Sequence, residues 1–244
     1  MLKYLYDKSK IWFAVVWIVV YCLFMSAGDS ISAAVGIEKS VSLPIGIILC
    51  VILFMFLKSN KLLEEFGLCR SKTPPRSMLY YLPVLVMLTA NTWYGVTFNY
   101  GALETLLYIL TMFCVGFLEE VIFRGLLFNA MRGDGIKSAV IVSALTFGIG
   151  HIFNLFNGSG ADLLPSILQV VYASAAGFMF VMIYLKTDSI LVCIAAHGLF
   201  NAMSAFSNEA EASVVMKVAV SAAITLIMGA YAVYLARNVV WSKS

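Results

Sequence analysis

The chain has 244 residues, of which 62% are hydrophobic and 12% charged, with a net charge of +3. A soluble domain carries roughly 25% charged residues, so the composition excludes an ordinary water-soluble globule and leaves no length for one beside the apolar segments. The small net charge gives no ground for a nucleic-acid partner.

The apolar run from Ile11 to Ala27 follows a basic start, as a signal peptide does, but it is longer than a signal core and no A-x-A site ends it. It reads as a retained first helix. A spanning helix needs about 20 apolar residues, and candidate segments fall at 11–28, 41–57, 78–97, 103–131, 137–156, 165–185, 189–207 and 213–236. Backbone groups left unpaired in lipid are costly, so these segments should be helices. The expectation is an all-α, polytopic membrane bundle of about eight transmembrane helices, forming a single integral membrane domain over residues 1–244. The third segment, with Pro83 and Asn91, and the seventh, with His197 and Asn201, are the least regular.

Charge placement favours both termini in the cytoplasm. With that topology the outer side holds only Lys39 and Lys217 of the 16 Lys and Arg residues, Arg124 lies inside a helix, and all the others fall on the inner side. One helix more or fewer would invert every later loop and erase the bias. The basic inner loop from Lys58 to Ser77, with Pro74–Pro75, reads as a solvated linker, with a seat on anionic headgroups as the other reading. Cys22, Cys50, Cys114 and Cys193 lie in apolar segments and Cys69 in that loop; none has C-x-x-C spacing, so they read as small hydrophobes.

Ionisable side chains within a span cost about 2.5–3.5 kcal/mol each, yet here they are concentrated. The fourth segment carries Glu119, Glu120 and Arg124, the fifth Phe147 and His151, the seventh His197 and Asn201. Both histidines of the protein lie within expected spans. At about 1.5 Å per residue from the nearest inner charge, Glu119, His151 and Asn201 each sit about 20 Å up and His197 about 14 Å up, so side chains from three helices can meet in one cavity. Glu120 and Arg124 are four apart and share a face as an ion pair. Glu119 is rotated by about 100° from Glu120 and can face another neighbour. Phe147 shares a face with His151, and His197 with Asn201, while Gly148 and Gly150 would allow close helix approach around His151. Taken singly, each histidine or Asn201 is as readily interhelical hydrogen-bonding glue. The combination points to function, with Glu119 suited to act as a general base.

E-E-x-x-x-R, F-x-x-x-H and H-x-x-x-N on successive helices, here Glu119-Glu120…Arg124, Phe147…His151 and His197…Asn201, resemble the CAAX-protease and bacteriocin-processing family of intramembrane peptidases. The resemblance covers about residues 60–205, with the catalytic helices over 103–207, and no motif position departs from it. It implies an intramembrane endopeptidase in which Glu119, assisted by His151, activates a water. His197 and Asn201 would steady the oxyanion, and Glu120, Arg124 and Phe147 would support the site. The implied partners are the lipid bilayer and a membrane-associated, prenylated or leader-bearing peptide. The compact chain favours a bacterial cell membrane as its location.

No cofactor is favoured. Glu119, His151 and His197 form a set that leaves a His₂Glu zinc site open, but H-E-x-x-H is absent and Asn201 is a poor zinc ligand. A non-catalytic scaffold or bacteriocin-immunity protein of the same fold stands as the alternative. A proton-coupled transporter would call for repeats or broken helices in matching halves, and neither is visible.

Overall fold

The computed structural model describes residues 2–155, 163–237 and Val239. Phe156 at the end of the fifth expected span, Asp162 and Lys243 lie outside these residues. Among the described residues all regular structure is helical, apart from one isolated bridge between Val96 and Ser207. We label the helices α1 (Leu2–Lys8), α2 (Lys10–Val35), α3 (Ser42–Ser59), α4 (Leu82–Leu88), α5 (Ala102–Arg132), α6 (Ile136–Gly150), α7 (Leu163–Thr187), α8 (Leu191–Met203) and α9 (Val214–Ala236).

Among the described residues, six helices are long and apolar enough to cross a bilayer: α2, α3, α5, α6 with the turn that follows it, α7 and α9. The two segments marked by internal polar residues differ from these six. The seventh is the shorter apolar helix Leu191–Phe206. The third, expected over 78–97, is broken into 3-10 turns over Pro75–Tyr81 and Ala90–Tyr94 with the seven-residue α4 between them. Leu79, Tyr80 and Tyr81 have φ of 49°, 49° and 57°, a left-handed run that no continuous helix contains. Pro83 then sits in the first turn of α4, where its missing N–H interrupts no intrahelical bond.

In the second half of α7, Met179 to Tyr184 are buried without a break, so this part of the helix is covered on all sides. α7 packs against α6 and α9, while α5 packs against α8 and α3. The outer faces of α2 and α3 present Leu23, Phe24, Ile48 and Val51, the surface expected against acyl chains.

Two close approaches set the helix positions. A Cβ on Gly116 of α5 would lie 2.7 Å from the backbone nitrogen of Gly198 in α8 and 3.1 Å from the carbonyl of Ile194. A Cβ on Gly148 of α6 would lie 2.8 Å from the backbone of Ser174 in α7. The expectation for Gly148 therefore holds, whereas Gly150 has nothing within 4 Å of the same position. Two residues turn a helix by about 200°, so the two glycines face opposite ways.

The loops that the charge pattern assigns to one side of the membrane meet at one end of the bundle. Lys10 pairs with Glu65, the Lys72 N–H donates to the Thr187 carbonyl, and Asn129 and Tyr184 meet beneath the Glu65 carbonyl. At the other end Asp29 pairs with Lys39, and Thr97 and Asn99 bond to the backbone of residues 205–206.

Candidate active site

Halfway along, α5 changes its winding. After Glu120 the helix widens into a π-helical stretch over Val121–Phe128, all eight residues of which are buried. Backbone groups loosened by a π stretch need other partners in lipid. The Ser143 hydroxyl donates to the Phe123 carbonyl at 2.8 Å, and the Asn129 amide to the Gly125 carbonyl at 2.8 Å. Sequence pattern gave no sign of this widening. It begins beside the paired glutamates and contains Arg124.

Arg124 and Glu120 form the expected ion pair, with Nη1 3.1 Å from Oε1 and both side chains fully buried. The guanidinium makes no well-aligned hydrogen bond among the described residues. It lies instead over the ring of Phe147 at 4.2 Å, with the Phe180 ring at 5.5 Å, so aromatic faces help to compensate its charge. Phe147 is thus a platform shared by Arg124 and His151, whose ring meets it edge-on at 5.1 Å.

Glu120 has a second partner. Nδ1 of His197 donates to the same oxygen, Oε1, at 2.9 Å. The imidazole is stacked on Phe180 and edge-on to Phe147. With Nδ1 committed to Glu120, Nε2 is the nitrogen turned to Glu119, 3.5 Å from its Oε2. The His197 ring therefore stands between the two neighbouring carboxylates. This is how two adjacent acids, about 100° apart on one helix, can serve one histidine.

Glu119 holds one further contact that sequence reading missed: the Tyr21 hydroxyl of α2 donates to Glu119 Oε1 at 2.5 Å. Oε2 of Glu119 is buried and has no hydrogen-bond partner among the described residues. The signal for Tyr21 was present but faint. It lies eleven residues above Lys10, about 17 Å along the helix, near the height reckoned for Glu119.

His151 begins the 3-10 turn His151–Leu155 at the end of α6. Its Nδ1 lies 3.0 Å from the Phe147 carbonyl, which can only accept, so Nδ1 carries the proton of this bond and Nε2 is left free to take one. His151, His197 and Asn201 line one cavity of about 40 Å³ with Phe147 and Phe180, sufficient for at least one water. Gln169 and Tyr172 of α7 line it as well; neither stood out in the sequence. Glu119 is not among the lining residues, but its Oε2 stands 3.5 Å from Nε2 of His197, which is. The structure thus brings the seven expected residues together around His197 or the cavity behind Phe147. Asn201 reaches the same cavity from the turn above His197.

With these contacts established, a comparison with known proteins is informative. Residues 101–203 match the family model of the type II CAAX prenyl endopeptidase Rce1-like proteins. This segment is Rce1-like. The match spans α5 to α8, the helices that carry every motif residue, and it agrees with the resemblance drawn from those motifs. The Rce1-like family is a protease family, so a protease is the coarse reading of the matched segment. No curated protein and no solved structure matches the chain.

The Rce1-like segment does not fit a zinc ion. Among the described residues no three His, Cys, Asp or Glu side chains are grouped closely enough to hold a metal. With Nδ1 engaged by Phe147 or Glu120, each histidine could ligate only through Nε2, and the described residues do not group those two nitrogens with a carboxylate or thiol closely enough. The set Glu119, His151 and His197 is therefore not arranged as ligands about a common point.

Proposed function

We propose that this chain is a metal-independent intramembrane endopeptidase, cutting a peptide bond of a membrane-associated substrate such as a C-terminally prenylated protein or a leader-bearing peptide. The observation that carries the reading is the position of His197, held by Glu120, facing Glu119 and lining a cavity with His151 and Asn201 inside a segment that is Rce1-like.

The roles follow from the free atoms. Oε2 of Glu119 has no hydrogen-bond partner among the described residues, and Nε2 of His151 carries no proton when Nδ1 donates to Phe147, so both can accept one. A water between them loses a proton to Glu119, assisted by His151, as its oxygen attacks the carbonyl carbon. The carbonyl oxygen takes the electron pair and the Asn201 amide donates to it; His197 donates as well, through Nε2 of its doubly protonated ring, while its Nδ1–H stays on Glu120. The tetrahedral centre then collapses. The C–N bond breaks, the proton passes to the leaving nitrogen, and a carboxylate and an amine depart. Glu120, Arg124 and Phe147 keep His197 in place and touch no reacting atom. Burial strengthens each of these interactions because little water competes.

The decisive assay compares purified wild type with Glu119→Ala and His151→Ala on a membrane-tethered peptide library that includes farnesylated peptides. Loss of a general base or its partner lowers the rate by about 10²–10⁴-fold. Cleavage that persists at the wild-type rate in both variants would remove the proposal.

A further inference from the structure

The mechanism above uses Oε2 of Glu119 and leaves open what fixes that carboxylate in place. Its own helix does not: the Glu120 side chain points to Arg124 and His197, and His197 Nε2 stands 3.5 Å from Oε2, beyond good hydrogen-bond length. Among the described residues, the one hydrogen bond made to the Glu119 carboxylate comes from α2, a helix outside the matched residues 101–203. α2 turns a single stripe inward, Phe13, Trp17, Tyr21, Met25 and Gly28, spaced four, four, four and three apart. Tyr21 is the member of that stripe with a phenol, and the stripe lies along the π-helical stretch of α5. The hydroxyl and the carboxylate meet where both residues are nearly excluded from the surface.

We infer that Tyr21 is a positioning residue for Glu119: by donating to Oε1 it fixes the carboxylate rotamer and leaves Oε2 as the oxygen presented to water and His197. The inference rests on the peptidase reading for its consequence but not for the contact itself. A buried carboxylate with one oxygen satisfied and one unsatisfied is polarised between a structural and a chemical role. Without the phenol, either oxygen of Glu119 can turn to His197 Nε2, and the base loses a defined direction. A positioning error of this kind acts on the chemical step and not on substrate binding.

The test uses the full-length protein in lipid nanodiscs. Glu119→Gln first assigns the Glu119 carboxylate band in the infrared difference spectrum. Tyr21→Phe, which keeps the ring, is expected to move that band and to lower kcat on a farnesylated peptide by about tenfold with KM within about twofold, the fall expected from losing one hydrogen bond to a charged group. Should Tyr21→Phe fold poorly, 3,5-difluorotyrosine placed at position 21 keeps shape and volume and alters only the donor, and the band is again expected to move. A band unmoved by either change overturns the contact, and a moved band with unchanged kcat overturns the positioning role. A wild type inactive on the peptide, with the band still responding to Tyr21→Phe, supports the contact while counting against the peptidase reading.

Discussion

The imidazole of His197 is anchored by Glu120, whose Oε1 accepts from Nδ1 at 2.9 Å and lies 3.1 Å from Arg124 Nη1. Glu120 is therefore more than half of an ion pair: one carboxylate oxygen fixes both a guanidinium and a histidine in a fully buried site. Removing one member of such a buried set leaves the others uncompensated, at about 3–5 kcal/mol. Glu120→Ala is expected to lower thermal stability in detergent by that order and to abolish cleavage. Glu120→Gln keeps an acceptor for Nδ1 and should lose less stability. Thermal unfolding of the two variants beside wild type measures this, and a Glu120→Ala protein as stable as wild type would contradict the arrangement.

How much of this was legible beforehand follows from what lipid penalises. Glu119, Glu120, Arg124 and both histidines stood out because charge is rare within a span, and the Rce1-like match falls on the helices that carry them. Tyr21 did not stand out, since a tyrosine in an apolar helix carries no comparable penalty and the inward face of α2 cannot be read from a segment hydrophobic all round. The π-helical stretch was invisible because Val121–Phe128 has the composition of any buried helix. The break in the third span was half legible: Pro83 and Asn91 marked it as irregular, but the left-handed run Leu79–Tyr81 has no glycine to announce it. The absence of Glu119 from the cavity lining depends on where the His197 ring lies, which spacing along one helix does not determine.

Gly116 and Gly150 give an internal control. Gly116→Ala places a methyl 2.7 Å from the Gly198 nitrogen, so α5 and α8 must separate next to His197. Overpacking of this kind costs about 1–3 kcal/mol, and a shift of His197 should reduce kcat as well. Gly150→Ala meets nothing within 4 Å, and exchanging glycine for alanine in a helix stabilises by up to about 1 kcal/mol. Unfolding midpoints moving in opposite directions are expected. Equal effects would mean that the α5–α8 approach is looser than described.

Metal removal separates the two chemistries considered for Glu119, His151 and His197. Because these groups are not gathered about one point, overnight dialysis against a strong chelator should leave cleavage within twofold of the untreated enzyme, and added zinc should restore nothing. Activity lost on chelation and recovered with stoichiometric zinc would refute the metal-independent mechanism.

Cys69 offers a test of orientation. It lies in the basic loop between α3 and α4, with its thiol donating to the Asp188 carbonyl at the turn between α7 and α8. The other four cysteines lie within α2, α3, α5 and α8, where a charged reagent has poor access. Since the loops carrying most Lys and Arg converge at this end, we propose from the inside preference of basic residues that Cys69 faces the cytoplasm. A membrane-impermeant maleimide should leave right-side-out sealed vesicles unlabelled and label inverted ones at a single site, with Cys69→Ser abolishing the signal. The same end carries Arg132 and Lys186, so labelling of right-side-out vesicles would reverse the whole bundle and put the ends of α5 and α7 on the outer face. The polar cluster would keep its geometry in either case, but the leaflet from which a substrate approaches the cavity at His151 and Asn201 would change with it.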